Sequence, residues 1–509
     1  MNLIAQLDHI VNRSPEQTAI IFGDIQINYQ TFHESVGRLA QAFKELGITK
    51  GDRIAILLPN VPHFCISYYA ALTAGGVIVP INFMNNVNEI MHQLSDSEAR
   101  TVISWHGFHK QVAAAAAAAP FCENLIFLGE TIPQNSLSLT QLLADHNPIQ
   151  EKTEIYPEDL AAINYTSGIA DVPLGAELTH YALLDSAATC REMFLITDDK
   201  HTISALPLFH PLGQTLIMNA TFIAGGTIVL QAHYSPEKLI QTIQNSNTHF
   251  MAAVPGVFRA MNNVTKEETE LPSLKYCLSY GGKLDADTTD RFEKKYNAHI
   301  LNSYGLTEAG PLVTCTRINR ERKYDSCGLP LVGTEIQIRD DDGNILPPNS
   351  PGEICVRNSS LMRGYHNYPN ETAQRLIDGW LLTGDIGYID MDHYLYVTER
   401  KEDIILKGGF YIYPTEVEKR LLEHPKIQEA AVVAVPDPVQ GSEVKAFVIL
   451  KKSEEMQKQK VVQHCRETLA VYKCPKYVEF LPELPKSATG RVLKRHLRQA
   501  SVLDTSENK

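Results

Sequence analysis

The sequence predicts an α/β protein: a large N-terminal domain of two α/β subdomains plus a β-rich subdomain, then a small α+β domain on a short hinge. Three observations predict this. The chain has 509 residues, more than the roughly 250–300 that a single hydrophobic core organises. From Arg53 onward, short apolar runs alternate with amphipathic stretches, the rhythm of βαβ units. Near Gly328 the texture shifts to alternation with period two, and near Arg400 a charged RKED run opens a compact αβ segment with a polar tail. The domains are therefore placed at residues 1–399 and 400–509.

Taken in order, Thr18 to Tyr29 alternates around Gly23 and Asp24, a hairpin signal. A helix is predicted from Gln30 to Leu46, with Phe32, Val36, Leu39, Ala40 and Phe43 on one stripe and Gly47 as its stop. Arg53 to Leu58 reads as a buried strand, Val61 to Ala74 as a helix, and Val77 to Pro80 as the next strand. The alanine run from Ala113 to Ala119 is helix filler, because alanine has the strongest helix propensity. Asn124 to Leu128 is another strand, and residues 129–156 form a polar connector. A second unit repeats the rhythm: helix Ala182 to Met193, strand Thr202 to Leu206, a helix after Gly213, strand Thr227 to Leu230, helix Pro236 to Asn245.

Composition excludes several classes. Apolar residues make up 44% and charged residues 21%, the profile of an ordinary globular protein. A net charge of −13 with no compensating basic stripe argues against a nucleic-acid partner. No apolar run reaches the ~18 residues of a membrane span, and the acid-bearing N-terminus does not read as a signal peptide. The nine cysteines lie far apart without metal spacing, which suits reduced thiols and a cytoplasmic location.

Function is concentrated in a few short stretches. Tyr165 to His180, YTSGIADVPLGAELTH, follows the apolar run Leu160 to Ile163 and precedes a predicted helix from Tyr181. Strand, glycine-bearing loop and helix make a phosphate-cradling layout. Asn302 to Glu308, NSYGLTE, offers an aromatic face for a purine, a hydroxyl for an anion and a carboxylate for a hard cation. Ser279 to Leu284 contains Gly281 and Gly282, a pair that lets backbone approach a flat ligand. Thr383-Gly-Asp385, with Arg400 beyond, is a sound clamp for sugar hydroxyls. Each stretch alone could be a surface turn.

Together they resemble the adenylate-forming superfamily, which includes acyl-CoA synthetases, peptide-synthetase adenylation domains and luciferases. The resemblance runs from about residue 10 to residue 500 and keeps six motifs in register, closest to acyl- and aryl-CoA synthetases. It implies nucleotide contacts at Thr166, Ser167, Gly168, Gly281, Gly282, Asn302, Ser303, Tyr304, Gly305, Asp385 and Arg400. Thr307 is implied at the α-phosphate and Glu308 at Mg²⁺. The acyl site is implied around His210, Val254, Gly281 and Gly310. Glu402 falls at the hinge of a mobile C-terminal domain, and Lys407, Gly408 and Gly409 where a pantetheine arm passes. Implied cofactors are ATP or AMP, Mg²⁺, and CoA or phosphopantetheine; implied partners are a small carboxylic acid and, in one branch, an acyl carrier protein.

The departures from that pattern cluster. Ile169 and Ala170 replace hydroxyl residues, Asp171 replaces a glycine, Leu174 replaces a lysine, and Arg491 replaces the adenylation lysine. A planar guanidinium does not fit a lysine's pocket unchanged, and Lys494 is one helical turn away as a substitute. His210 stands where amino-acid-activating relatives carry an aspartate, which speaks against an amino-acid substrate. Three readings follow. The chain is a carboxylate–CoA ligase for a mainly apolar fatty or aryl acid, with adenylation weakened. Alternatively it hands an acyl group from the adenylate to a carrier protein or amine. Thirdly, it is a non-ligase that binds acyl-AMP or an acyl thioester without activating ATP.

Overall fold

The computed structural model describes residues 2–166, 172–264, 270–407, 410–437, 440–487, 490 and 492–499. The chain forms two compact units, Met1–Ile336 with Val356–Leu382, and Gln337–Cys355 with Thr383–Lys509.

The first unit is built on two sheets. The seven-stranded sheet runs Leu137–Ser138, Asn124–Leu128, Ala99–Trp105, Arg53–Leu57, Val77–Pro80, Leu160–Thr166, Leu174–Thr179. The nine-stranded sheet runs Leu329–Pro330, Thr314–Cys315, His299–Tyr304, Tyr276–Ser279, Phe250–Ala253, His201–Ser204, Thr227–Leu230, Thr18–Phe22, Ile25–Asn28. Its six central strands, His299–Tyr304 through Thr18–Phe22, pair in parallel. Parallel sheets require cover on both faces, and the inner strands accordingly read as continuous apolar runs: Val77–Pro80, Thr227–Leu230 and Phe250–Ala253 are buried at every residue. The predicted hairpin about Gly23 is present, with Phe22 opposite Ile25. The helices Tyr29–Glu45, Pro62–Thr73 and Pro236–Asn245 form where the sequence places them.

One local expectation is corrected and two are refined. The connector at 129–156 holds a short strand, Leu137–Ser138, and the helix Leu139–Asp145 that Ser138 caps. The stretch after Gly213 is a π-helix, Gly213–Asn219, before an α-helical turn. Gly213 is in close contact there: a Cβ would lie 2.5 Å from the Pro207 carbonyl oxygen. Finally, a strand intervenes between the glycine-bearing loop and the predicted helix. The chain returns as Leu174–Thr179, antiparallel to Leu160–Thr166, and the helix predicted from Tyr181 begins at His180. The alternating Leu-Gly-Ala-Glu-Leu-Thr run has strand periodicity, and Thr179 supplies the helix cap by accepting from the Ala182 N–H at 3.1 Å.

The second unit holds the antiparallel pairing of residues 385–389 with Leu395–Arg400, in which Asp385 faces Arg400. It continues into the hairpin Ile405–Lys407 with Phe410–Ile412, and a three-stranded sheet of Ile427–Asp437, Gly441–Leu450 and Tyr477–Phe480. Ile405, Val417, Leu421, Val432, Val444 and Val461 make its core.

Candidate functional site

The carboxyl ends of the parallel strands Tyr276–Ser279 and His299–Tyr304 lie side by side, with Ser279 opposite Asn302. Ligands of parallel α/β sheets bind at such ends. The two loops leaving them are joined. The Tyr280 hydroxyl donates to the Gly305 carbonyl at 3.2 Å, and the Ser303 hydroxyl to the Ser279 carbonyl at 2.8 Å. Gly281 has φ +82°, which only glycine adopts without strain. Gly282 is open, with the nearest contact of an added Cβ at 3.6 Å. Gly305 is tightly enclosed, since a Cβ there would meet the Pro311 carbonyl oxygen at 2.0 Å. Asn302 is engaged with the protein, donating through its amide to the Tyr324 carbonyl at 3.2 Å. Tyr304 and Thr307 remain partly exposed on this edge.

Glu308 is buried in the short turn Thr307–Ala309, and the Tyr365 hydroxyl donates to its carboxylate at 3.0 Å. The Met362 N–H donates to the Glu308 carbonyl at 2.8 Å. The same segment then lies along the returning strand of the glycine loop. Arg363 N–H bonds Glu177 O, Glu177 N–H bonds Gly364 O, and His366 N–H bonds Gly175 O, at 2.8–2.9 Å. His366 Nδ1 also meets the Glu177 carboxylate at 2.7 Å. Residues 362–366 thus bring Glu308 and the glycine-loop hairpin together. Sequence reasoning missed Tyr365, because an isolated tyrosine in a loop carries no periodic or motif signal.

On the loop hairpin, Thr166 ends the outgoing strand with its hydroxyl buried and without a partner among the described residues. Ser167 and Gly168 lie outside those residues. Leu174, in the position of the missing lysine, is buried in the returning strand opposite Thr166.

His210 receives the Leu212 N–H on Nδ1 at 3.2 Å, so Nε2 carries the proton, and its ring stands edge-on to Tyr280 with centroids 5.7 Å apart. Burial pushes its pKa down to about 4, leaving it neutral near pH 7. Val254 caps the helix Pro255–Asn262, one residue beyond a strand adjacent to Tyr276–Ser279. Gly310 has φ +68°, and a Cβ on it would lie 2.3 Å from the Ser186 hydroxyl and 2.5 Å from Ser360 Cβ. His210 is therefore joined to the Tyr280 loop, whereas Gly310 is closed in by two serines.

In the second unit, Arg400 Nε is 3.2 Å from the Asp385 carboxylate, and its guanidinium 3.5 Å from Glu402. Residues about Glu402 are ion-paired as well: Lys401 with Glu353 at 3.0 Å and Asp341 at 2.8 Å, Asp403 with Arg498 at 3.1 Å. Lys407 forms a buried ion pair with Glu443. Lys494 sits 2.9 Å from Glu418, whose pKa burial raises against the pull of that lysine. Its ammonium is thus engaged within the unit rather than available to replace a lysine elsewhere. Gly408, Gly409 and Arg491 lie outside the described residues.

Comparison with known proteins decides the family. The profile described as AMP-binding enzyme matches residues 7–366, and that of the AMP-binding enzyme C-terminal domain matches residues 416–491. The chain belongs to the AMP-binding enzyme family. A long-chain-fatty-acid–CoA ligase of Bacillus subtilis is 33% identical over 95% of this chain and 92% of its own. A feruloyl-CoA synthase of an Amycolatopsis species is 32% identical over 96% of both chains. Among solved structures, an anthranilate CoA ligase in complex with anthranoyl-AMP superposes with a TM-score of 0.90 at 25% identity, covering 99% of this chain and 98% of that one. With these relatives, the chain is an AMP-forming acid–thiol ligase, an adenine-nucleotide-binding α/β protein with a small C-terminal domain. No helix among the described residues of the ligase is long and apolar enough to cross a membrane.

The residues present suit the ligands of that family. Mg²⁺ is held through one or two carboxylates together with phosphate oxygens and water, and Glu308 supplies one buried, oriented carboxylate. No cluster of three or more metal-binding side chains occurs among the described residues, so a cation here would depend on substrate oxygens.

Proposed function

We propose that the ligase condenses an apolar carboxylic acid, fatty or aryl, with CoA at the expense of ATP in the cytoplasm. The observation that carries this reading is the junction of the Tyr280–Gly282 and Tyr304–Glu308 loops at adjacent parallel strand ends, with neutral His210 against Tyr280. The relatives' activities, on long-chain fatty acids and on ferulate, support the substrate class.

In the first step the acid's carboxylate attacks the α-phosphorus of ATP and pyrophosphate leaves. Tyr304 offers its ring to adenine, Thr307 its hydroxyl to the α-phosphate, and Thr166 its hydroxyl to the same anion. Mg²⁺, when bound, neutralises phosphate charge, and Glu308 with Tyr365 behind it is the group to hold it. Asp385 and Arg400 take the ribose, and Arg491 the reacting carboxylate. In the second step the CoA thiolate displaces AMP. Residues 400–509 are proposed to move about Glu402 between the steps, with Lys407, Gly408 and Gly409 on the pantetheine side.

A second reading is favoured by one observation, the burial of Leu174 where a phosphate-binding lysine would stand. On it, the chain binds acyl-AMP or an acyl thioester without activating ATP. ATP–pyrophosphate exchange over a panel of fatty and hydroxycinnamic acids separates the two. Exchange with an apolar acid, followed by release of free acyl-CoA, supports the ligase. Exchange with transfer to a phosphopantetheinylated carrier protein instead of CoA would make it a carrier-loading enzyme. No exchange with any acid, alongside tight acyl-AMP binding, would establish the second reading.

A further inference from the structure

In the second unit, the chain is tied down on both sides of Glu402. Before it, Lys401 pairs with Glu353, on the strand Gly352–Arg357, and with Asp341. After it, Asp403 pairs with Arg498, whose guanidinium also donates to the Glu402 carbonyl at 2.9 Å. Glu402 is therefore the residue between two anchored neighbours. Glu399 reaches across this point. It stands on the strand Leu395–Arg400, opposite Ile386, and is buried. Its carboxylate accepts from the Thr415 N–H at 2.9 Å, beyond Glu402, and from the Arg400 N–H at 3.2 Å. Thr415 is the second residue of the helix Pro414–Leu422, and the first N–H groups of a helix have no partner within it. Tyr413, which precedes this helix, gives it no side-chain cap; the Glu399 carboxylate does. An anion at a helix N-terminus is favoured by the helix dipole as well as by the hydrogen bond. Lys494 lies 3.9 Å from the same carboxylate, and the Thr415 hydroxyl donates to the Thr398 carbonyl at 3.3 Å.

We propose that Glu399 is a positioning residue for the change of conformation between the two half-reactions: it latches the segment beyond Glu402 by capping the helix Pro414–Leu422 from the other side of the hinge. The proposal rests on the reading that residues 400–509 move about Glu402. In that motion Glu399 stays on its strand, while Thr415 and Lys494 leave together. The carboxylate then loses an N–H donor and its counter-charge, and the helix loses its cap. A buried carboxylate is stable only with such partners, so parting from them sets a cost on the rotation. Removing the latch lifts that cost from one conformation only and shifts the balance between the two. Each half-reaction uses one conformation, so their rates change unequally.

The test uses the full-length protein. ATP–pyrophosphate exchange with palmitate or ferulate reads adenylation, and acyl-CoA release from the matching synthetic acyl-AMP with CoA reads thioester formation. Glu399→Ala is expected to change the ratio of the two rates about 10-fold, the low end for one hydrogen bond to a charged group, and to leave AMP affinity within about 2-fold. Glu399→Gln keeps an acceptor for the Thr415 N–H without the charge. It should change the ratio less, and it covers the case in which Glu399→Ala fails to fold. An unchanged ratio, or equal slowing of both half-reactions, would overturn the proposal, since Glu399 would then be a general support of the fold. AMP affinity falling in step with the rates would overturn it too, because Glu399 would be acting through Arg400. A wild type with neither half-reaction refutes the ligase reading, and tryptic cleavage after Lys401 then decides the latch. Faster cleavage there in the variants, with other sites unchanged, upholds it; no change, or faster cleavage everywhere, overturns it.

Discussion

Two glycine-bearing hairpins carry most of the expected ligand chemistry, and they have fared in opposite ways. Residues 160–179 have lost the lysine, two hydroxyls and a glycine of their motif, yet the structure around them is firmly tied. Arg363 and His366 bond the returning strand, His92 meets the Pro173 carbonyl, and Asp96 accepts from the Tyr165 hydroxyl. Residues 405–412 keep Lys407 and both glycines, yet the Lys407 ammonium is paired with buried Glu443 inside its own unit. An intact motif residue is thus occupied by the protein, and a depleted motif keeps its frame. The presence of a side chain in a motif and its availability to a ligand are separate questions. The second depends on which opposite charge the fold buries beside it.

The strongest challenge to this contrast is Glu443→Gln. If Lys407 is a structural cation, removing its partner strands a buried charge and should cost about 3–5 kcal/mol in urea unfolding of the C-terminal unit. Replacing both, Lys407→Met with Glu443→Leu, should recover most of that. Lys476, 3.7 Å from Glu443, limits the recovery because it loses the same partner. A cost near zero for Glu443→Gln, with weaker CoA binding, would return Lys407 to the ligand.

On the other hairpin, Leu174→Lys should fail as a repair. Leu174 is 1% exposed, so a lysine there exchanges apolar burial for an ammonium that must leave the strand. A destabilisation of about 2–4 kcal/mol is expected, with no gain in ATP affinity. A stable Leu174→Lys variant that binds ATP more tightly would mean that the strand end opens to the nucleotide. Asp171→Gly, a change in the loop proper, removes a carboxylate near the expected pyrophosphate. Pyrophosphate exchange should rise about 10-fold, equivalent to ~1.5 kcal/mol. No rise would show that Asp171 faces away from the phosphates.

A pH dependence sharpens the contrast further. Burial pushes His180, at the foot of the first hairpin, down to about 4; Asp159 opposes the shift and Lys50 adds to it. In the unfolded chain a histidine titrates near 6.5, so the unfolded state binds the extra proton between these values. Stability is therefore complete above about pH 6.5 and declines as pH falls toward 4, by about 1.4 kcal/mol per pH unit for this one group. His180→Asn should flatten unfolding free energy against pH by that slope. An unchanged slope would assign the acid sensitivity to other groups, His210 among them.

Much of this was legible in the sequence because it is local. Val77–Pro80, Asn124–Leu128 and Pro236–Asn245 match the predicted elements residue for residue, since apolar period and proline act over a few neighbours. The NSYGLTE stretch and its Gly-Gly neighbour lie at strand ends as the motif spacing suggested. The strand Leu174–Thr179 was not read from the sequence although its residues alternate, because so short a run carries a weak signal and its pairing with Leu160–Thr166 decides the matter. What the sequence by itself determined was the α/β class, the family and the types of residue offered to a nucleotide. Only tertiary structure decided which of those groups face each other. Tyr365 reaches Glu308 from 57 residues away, and Lys407 meets Glu443 across two elements. Such pairings arise when distant segments pack and desolvate their charges together, an event with no periodic trace along the chain.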